Sequence, residues 1–381
     1  MRIVLTGGGS GAHVYPALAI GRQLLEEERG SEILYIGSKT GAEAAIVPPA
    51  PMRFETLDIV RVGRRISFDH VRGIIRFIRG VRRSKTLLLD FKPDVVVGTG
   101  GSVSGPVVYA AAKLGIPTLL HEQNAAPGRA NAALSRYADV VAVSFKDSAD
   151  SFKRARRVLA AGNPCAANVL RANRNKGYAS LGIPYGSVIA LIYGGSRGSK
   201  AINDAMVDMA PLLQRLPNVH FVFVTGESYY DGTMARMKKV LPALSNYIHV
   251  QPYLHNMPDV LAATTIAVCR SGASALAELT ALGIPAILVP SPNSANHRQI
   301  ANASSLVEAG AAEMIAEWEL TGAGLFSRLQ ALLQDGERMA RMGAAALNMG
   351  EPRSAALLVS EIRKLANIRK ATEMGDCHTP V

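Results

Sequence analysis

Charged residues, aromatic residues and cysteines are all scarce in this chain of 381 residues. Charged side chains make up 19% of the chain, against roughly 25% in an average soluble domain. Aromatic side chains make up 6%, with a single tryptophan, which disfavours nucleic-acid binding by stacked rings. Cys165, Cys269 and Cys377 form neither a metal-type pair nor a disulfide pattern, so we expect a reducing compartment.

Long apolar runs are also lacking. The first run, residues 3–5, ends at Gly7 and is too short for the core of a secretory signal. Residues 95–112 carry no charge, but four glycines and a proline interrupt them. We therefore interpret this stretch as a strand, a glycine turn and a helix start rather than a membrane span.

Positive charge is present and is concentrated in one place. The net charge is +12, and residues 61–92 hold ten Lys or Arg and two Asp, which gives +8 for that window. Arginines spaced 4-3-4 lie on one stripe of a predicted helix whose other faces are apolar. We expect this helix to bind an anionic membrane surface; a solvated surface helix and a nucleic-acid site are the alternatives. The proposed membrane patch consists of Phe68, Arg72, Ile75, Arg76, Phe77, Arg79 and Arg83.

Short apolar segments bounded by glycine alternate with helical patterns along the chain. Strands are predicted at residues 2–6, 32–36, 94–98, 117–121 and 139–143, and after residue 164 at 187–193, 219–224, 247–250, 266–269 and 286–289. Helices are predicted at residues 16–29, 104–114, 127–137, from 200 onward, and at 273–282, 296–309 and 352–368. This alternation predicts an α/β protein with two Rossmann-like, doubly wound domains and a ligand site in the cleft between them.

Three glycine-rich loops follow predicted strands, at residues 7–12, 98–106 and 194–198. Glycine lets backbone N–H groups approach a phosphate, and the helix that follows favours an anion. Three such loops predict two phosphate-bearing ligands. The first loop also fits G-x-G-x-x-A, but residues 37–39 supply no acid for a ribose, which disfavours a nicotinamide dehydrogenase. No loop ends in Gly-Lys-Ser/Thr, so a P-loop is excluded.

Polar residues cluster next to these predicted strand ends. His13 directly follows the first loop, and its neutral imidazole suits a general base. A further polar run is His121–Asn124, and another is residues 296–299. Glu278 is interpreted either as a salt-bridged surface group or as an acceptor for ribose hydroxyls.

Several strings in this sequence resemble the MurG family of N-acetylglucosaminyltransferases, in the family's order over residues 2 to 320. They are GGGSGAHVYPALAI, GTGGSVSGPVVYAAAKLGIPTLLHEQN, GGSRGSKAIN, HNMPDVL, CRSGASALAELTALGIPAILVPSP and NASSLVEAGAA. The resemblance implies two domains of the GT-B type, with residues 1–162 binding the acceptor and the membrane and residues 163–351 binding the UDP-sugar. It leaves residues 352–368 as a closing helix and residues 369–381 as a flexible tail.

The implied activity is an inverting transfer of N-acetylglucosamine from UDP-N-acetylglucosamine to the muramyl 4-hydroxyl of lipid I, in peptidoglycan synthesis. The implied partners are those two substrates, an anionic inner-membrane surface on its cytoplasmic side and other cell-wall synthesis proteins, with no nucleic acid. No cofactor and no metal are implied, and the chain has no Asp-x-Asp motif. The alternatives are a UDP-N-acetylglucosamine 2-epimerase and an inactive UDP-sugar-binding protein.

The resemblance also implies roles for individual residues. His13 and Asn124 are the candidate catalytic residues. Donor contacts are implied for Ser10, Gly11, Ala12, Asn124, Ser196, Leu254, Arg270, Ala273, Ser274, Ala275, Leu276, Ala277, Glu278 and Gln299. Contacts with the acceptor diphosphate are implied for Gly8, Gly9, Gly100, Gly101, Ser102 and Ser104.

This chain departs from the family pattern at three places. Ala12 stands where the family usually has glycine. Cys165 and Ala166 stand where it often has an arginine, so that Arg171 and Arg197 become the candidates for one diphosphate contact. Residues 296–299 read Asn-His-Arg-Gln, which leaves open whether His297 or Arg298 takes the first polar place.

Overall fold

The computed structural model describes residues 1–59, 68–241, 245–294 and 297–375, and it describes no side chains at 68–72, 370 and 372–375. The chain forms two compact units. The first consists of Met1–Cys165 together with the C-terminal segment from Arg353, and the second is Ala166–Pro352.

The first unit is built on a parallel sheet of seven strands in the order β3-β2-β1-β4-β5-β6-β7. The strands are β1 Arg2–Gly7, β2 Glu32–Ser38, β3 Arg53–Leu57, β4 Val95–Gly100, β5 Thr118–Glu122, β6 Val140–Val143 and β7 Val158–Ala160. Because the order reverses between β1 and β4, the carboxyl ends of these two strands form the crevice where ligands bind in such sheets.

Helices cover both faces of this sheet. They are α1 Gly11–Glu27, α2 Glu43–Ile46, α3 Phe68–Phe91, α4 Ser104–Lys113, α5 Arg129–Leu134 and the C-terminal α15 Ser354–Gly375. The last helix belongs to this unit because Leu358, Val359 and Ile362 are fully buried against β1 and α1. Arg363 adds ion pairs to Glu27 and Glu28 at the end of α1.

The second unit repeats the architecture with a parallel sheet of six strands in the order β10-β9-β8-β11-β12-β13. The strands are β8 Val188–Tyr193, β9 Val219–Val224, β10 Ile248–Gln251, β11 Ile266–Cys269, β12 Ala286–Leu288 and β13 Ala312–Met314. Its helices are α6 Ala167–Leu170, α7 Arg174–Leu181, α8 Lys200–Met209, α9 Tyr230–Val240, α10 Met257–Ala263, α11 Ala273–Leu282, α12 Arg298–Glu308, α13 Gly322–Gln334 and α14 Gly336–Met349. The switch point here lies between β8 and β11.

The prediction of two doubly wound, parallel domains is confirmed, and all ten predicted strands are present within one or two residues. The sequence missed β3, β7 and β13, which are edge strands of three to five residues. The prediction that the first helix starts at Pro16 was wrong, because α1 begins at Gly11. Pro16 is the sixth residue of α1 and lies inside the helix, where it removes one intrahelical N–H donor. Helix α15 continues past residue 368, where the sequence predicts its end.

Candidate functional site

The first glycine loop passes directly into α1. Residue 10 is extended, with φ −158°, and the helix starts at Gly11. Gly9 has φ +81°, a left-handed conformation that favours glycine. The earlier start of α1 brings its N-terminus to the carboxyl end of β1, so the loop and the helix terminus together form one anion-binding element.

The second loop packs against the first. The N–H of Gly8 donates to the carbonyl of Gly100 over 3.1 Å. Gly101 has φ +85°, and a Cβ there would lie 2.2 Å from the carbonyl oxygen of Gly8. Thr99 at the end of β4 donates its hydroxyl to the His13 carbonyl over 2.7 Å. The structure therefore brings the predicted residues of loops 7–12 and 98–106 together at one switch point.

Backbone N–H groups at the start of α1 are open to a ligand. Among the described residues, no acceptor is recorded for the amides of Ser10, Gly11 and Ala12. The next two amides, those of His13 and Val14, both bond to the Ser10 carbonyl. Three adjacent amides at the positive end of a 17-residue helix suit a diphosphate.

His13 is oriented by its own loop. Its Nδ1 lies 2.9 Å from the carbonyl of Gly8. A carbonyl only accepts, so we assign the proton to Nδ1, and Nε2 then carries the lone pair. A Cβ on Gly100 would come within 3.2 Å of Nε2, so glycine at 100 leaves room for this ring edge. This tautomer suits a base that accepts a proton at Nε2.

Ser102 and Ser104 have different environments, although both were predicted to contact the acceptor. Ser102 is exposed. Ser104 is fully buried, and its hydroxyl accepts from the Gly100 N–H and lies within bonding distance of the carbonyls of Thr6 and Gly100. The Ser104 side chain therefore stabilises the second glycine loop through internal hydrogen bonds.

The run His121–Asn124 lies at the carboxyl end of β5 and is mostly internal. His121 is fully buried, and its Nε2 donates to the Gly162 carbonyl over 2.9 Å. Burial lowers the pKa of His121, against the raising effects of that bond and of Glu122. A neutral, enclosed imidazole is suited to structure rather than to proton transfer at the surface.

Glu122 organises the loop that follows. Its carboxylate is 1% exposed and accepts from the Asn124 backbone and side chain, from the Gly128 N–H and from Asn131. These bonds hold the side chain of Asn124, which is 8% exposed, at the end of β5. The role of Asn124 towards a substrate stays a prediction.

The donor loop of the second unit, residues 194–198, is a tight turn between β8 and α8. The N–H of Gly198 donates to the Gly195 carbonyl over 2.9 Å, and both glycines have positive φ. A Cβ on Gly198 would lie 2.1 Å from the Thr225 carbonyl. The turn leaves Ser196 and Arg197 exposed at its tip, and the contact of Ser196 with a phosphate stays a prediction.

Arg270 supports this loop from behind. Its guanidinium donates to the hydroxyl of Ser199, the N-cap of α8, over 2.6 Å and to the Val289 carbonyl over 3.0 Å, and it forms an ion pair with Glu317. The Ser199 hydroxyl also accepts from the Ile202 N–H. Arg270, which was predicted to contact the donor, bonds here to three protein segments. It therefore supports the donor loop.

Helix α11 presents a second anion site. Among the described residues, no acceptor is recorded for the amides of Ala273, Ser274 and Ala275, whereas the Leu276 amide bonds to Gly272. The Ser274 hydroxyl is buried without a hydrogen-bond partner. Ala277 lies one turn further along the same helix. The predicted nucleotide-lining residues thus surround open donors at a helix N-terminus.

Glu278 lies on α11 in a largely enclosed place. Burial raises its pKa to about 7, and a hydrogen bond from Asn168, 3.3 Å long, opposes this rise. Among the described residues no cation forms an ion pair with it, which excludes the salt-bridged surface alternative. A carboxylate with spare acceptor capacity matches the hydroxyl pair of a ribose.

Gln299 and Leu254 complete the predicted donor set. Gln299 is in the first turn of α12, where its side-chain oxygen accepts from the Ser291 N–H over 2.8 Å. Leu254 lies in the loop between β10 and α10. His297, with φ +52°, is the residue before α12, whereas Asn296 lies outside the described residues.

The proposed membrane patch falls partly outside the description, because the side chains of Phe68 and Arg72 are not described. The other members lie on α3, where Ile75 is 44% and Phe77 41% exposed. Arg76 and Arg79 are also exposed. Arg83 forms an ion pair with Glu55.

Sequence reasoning missed Glu43. This residue follows β2 and is fully buried against the first glycine loop, where it accepts a hydrogen bond from the Gly9 N–H. Its only sequence signal is its place just after Gly37 and Gly41. The structure thus places an acidic residue just after the second strand. Its carboxylate bonds to the first glycine loop and has no exposed surface.

Both halves of the chain match models of one glycosyltransferase family. The Glycosyltransferase family 28 N-terminal domain matches residues 3–143, and the C-terminal domain of the same family matches residues 189–358. These ranges contain β1 to β6 of the first unit and all six strands of the second unit.

Curated relatives match along nearly the whole chain. A protein from Halalkalibacterium halodurans is 44% identical over 96% of this chain and 100% of its own length. One from Bacillus cytotoxicus is 43% identical over 96% of this chain and 99% of its own length. Both are called UDP-N-acetylglucosamine–N-acetylmuramyl-(pentapeptide) pyrophosphoryl-undecaprenol N-acetylglucosamine transferase.

Solved structures agree with this relationship. The crystal structure of Acinetobacter baumannii MurG has a TM-score of 0.76 at 28% identity and covers 95% of this chain and 99% of its own. A UDP-N-acetylglucosamine 2-epimerase from Neisseria meningitidis has a TM-score of 0.69 at 14% identity over 96% of this chain and 100% of its own, which shows the fold alone. The chain therefore belongs to glycosyltransferase family 28, within its MurG group of N-acetylglucosamine transferases.

Proposed function

We propose that this chain transfers N-acetylglucosamine from UDP-N-acetylglucosamine to the muramyl 4-hydroxyl of lipid I, with inversion at the sugar C1. The observation that carries this proposal is the 44% identity, over nearly the full length, to a relative that bears the name of this transferase. The geometry supports it through two sets of open helix N-termini, one in each unit, that suit two diphosphate-bearing substrates.

The reaction is a single displacement. Nε2 of His13 takes the proton of the acceptor hydroxyl. The oxygen of that hydroxyl attacks C1 of N-acetylglucosamine, and the bond from C1 to the UDP oxygen breaks. Negative charge then grows on the leaving diphosphate. The open amides at the start of α11 stabilise this charge, as preorganised dipoles do in an oxyanion hole.

The resemblance to the MurG family supports the remaining donor contacts. Glu278 accepts hydrogen bonds from the ribose hydroxyls, and Ser196 donates to the diphosphate. The backbone at Leu254 contacts the uracil ring, and the Gln299 amide group contacts hydroxyls of the transferred sugar. Asn124, held by Glu122, orients the reacting sugars in the first unit.

We further propose that the enzyme is peripheral to the cell membrane on its cytoplasmic side, bound through α3. No helix in the described part of the chain is both long and apolar enough to cross a bilayer. Exposed Ile74, Ile75, Phe77 and Ile78 lie on α3 among its arginines.

Neighbouring elements extend this surface. Phe77 packs on Tyr109, and Tyr109 packs on Tyr137, with ring centroids 6.2 and 5.1 Å apart. Lys113 and Arg136 lie over these tyrosine rings. Aromatic rings next to cations are suited to the interface of an anionic bilayer, so α4 and the turn at Tyr137 add to the patch on α3.

The transfer is tested by measuring UDP release with and without a lipid-linked muramyl acceptor. We expect release only with the acceptor, together with a product that carries both sugars. Conversion of UDP-N-acetylglucosamine without any acceptor would favour the epimerase. Binding of the nucleotide sugar without turnover would favour an inactive binding protein.

The membrane surface is tested separately, by vesicle sedimentation. Replacing Arg76, Arg79 and Arg83 by Gln should weaken binding to anionic vesicles about tenfold or more at low salt, because each basic residue contributes ~1 kcal/mol there. The matched control replaces Arg328, Arg338 and Arg341, which are exposed arginines of the second unit. Equal vesicle binding by both triple variants would refute the proposed surface.

A further inference from the structure

Glu43 is a buried carboxylate that the proposed reaction does not use. It begins the short helix α2 and has no exposed surface. Among the described residues, no Lys or Arg forms an ion pair with it. Burying a carboxylate without a cation is costly unless several donors bond to it, so its surroundings must explain its presence.

Three donors bond to this carboxylate. One oxygen accepts from the Gly9 N–H over 2.8 Å. The other accepts from the backbone N–H of Ser38 over 2.9 Å and from the Ser38 hydroxyl. The side chain thus links the end of β2 to the middle of the first glycine loop. Gly9 in that loop lies 34 residues before Glu43 in the chain.

Glycines make room for the carboxylate. A Cβ on Gly8 or on Gly41 would lie 2.2 Å from an oxygen of Glu43. A Cβ on Gly37 would lie 2.6 Å from its Cγ. Atoms cannot approach that closely, so the three glycines and the glutamate form one packed unit.

We propose that Glu43 is a positioning residue for the first glycine loop, acting on the acceptor half of the reaction. Its bond turns the Gly9 N–H inward, where Gly9 takes φ +81°. The next three amides, from Ser10 to Ala12, then remain open. We assign them to the acceptor diphosphate rather than to the donor contacts that the sequence predicted for these three residues. The same bond fixes the loop at Gly8, whose carbonyl orients His13. The inference rests on the transferase function proposed above.

Glu43→Gln tests this role with almost no change in size. An amide side chain has only one acceptor oxygen, so it cannot satisfy both the Gly9 and the Ser38 N–H groups. We expect kcat/KM for the acceptor to fall about 10- to 100-fold, as for one unsatisfied buried donor. The KM for UDP-N-acetylglucosamine should change less than twofold, because the donor residues on α11 and α12 belong to the other unit.

Two controls separate positioning from folding. Glu361→Gln removes another buried carboxylate of the same unit, one that pairs with Arg157 and Lys364, and should leave both kinetic constants unchanged. Ser38→Ala removes one bond to Glu43 but leaves the Gly9 bond in place, so it should change the acceptor KM less than threefold. Should Glu43→Gln not accumulate as folded protein, Glu43→Asp provides the test, since it keeps the charge but retracts the carboxylate from Gly9.

Hydrogen exchange gives a readout that does not depend on turnover. Peptides covering residues 7–14 should exchange faster in Glu43→Gln than in wild type, with no change in Glu361→Gln. Unchanged exchange and an unchanged acceptor kcat/KM in the folded variants would overturn the inference, as would an equal loss for donor and acceptor. A wild-type protein without acceptor-dependent UDP release would instead reject the proposed function, and the exchange result would still decide the role of Glu43.

Discussion

The first glycine loop and the donor loop connect a strand to a helix in the same way, but their supports carry opposite charge. Behind the first loop lies the carboxylate of Glu43, which bonds to a loop N–H. Behind the donor loop lies Arg270, which bonds to the N-cap Ser199 and to Glu317. Glu43 accepts a hydrogen bond from a loop N–H, whereas Arg270 donates a hydrogen bond to the N-cap residue of α8.

This difference matches the tasks proposed for the two loops. The first loop must aim His13 and present amides, and an acceptor group behind it fixes the direction of one amide. The donor loop must meet a diphosphate whose negative charge grows during the reaction. An arginine behind that loop keeps the N-cap in place and adds a cation next to the helix N-terminus.

The largest expected effect concerns His13. His13→Ala should lower kcat about 10²- to 10⁴-fold at saturating substrates, the range typical for loss of a general base. Binding of UDP-N-acetylglucosamine should not change, which isothermal titration calorimetry measures. A variant that keeps most of its turnover would remove His13 from the role of base.

Glu278→Gln should weaken UDP-N-acetylglucosamine binding about tenfold or more, because a charged acceptor for the ribose is lost. The same variant should not lose stability at pH 8. The folded pKa of Glu278 is about 7, above its unfolded value, so ionisation costs folding free energy as pH rises from about 4.5 to 7. Calorimetry at pH 5 and pH 8 measures this; a clear loss of stability at pH 8 would instead indicate a structural carboxylate.

Arg270→Met should raise the donor KM about tenfold and leave the acceptor KM within twofold, since only the donor loop loses its support. The matched control is Arg338→Met, which breaks the Arg338–Glu313 ion pair on the same unit. Steady-state kinetics with each substrate varied in turn provides the measurement. An equal rise in both KM values would contradict the assignment of the donor to one loop and of the acceptor to the other.

The smallest expected effect is on pH dependence. Because the pKa of Glu278 is raised to about 7, its ionised fraction increases between pH 6 and 8. The donor KM should therefore fall severalfold over that range in the wild type. Glu278→Gln should give a flat profile, and a slope retained in this variant would assign the titration to another group.

The sequence predicted much of the fold, and it proposed residues that the structure places at strand ends and helix starts. Alternating apolar strands and glycine loops located ten strands, since buried parallel strands are continuous apolar runs. The edge strands β3, β7 and β13 were missed because three to five residues are too few to give such a run. His13, Asn124 and Glu278 were located next to strand ends or on the helices that follow them. The partner of Glu278 could not be predicted, because Asn168 is 110 residues away in the sequence.

The sequence by itself determined the fold class, the glycine loops and the basic window, because each of these is a local pattern of residue types. Tertiary structure decided how the loops are held. Glu43 reaches the first loop across 34 residues, and Arg270 reaches the N-cap of α8 across 71 residues. Hydrogen bonds of this kind depend on which strand ends lie side by side, and the strand order of a sheet is set by the packing of the whole domain.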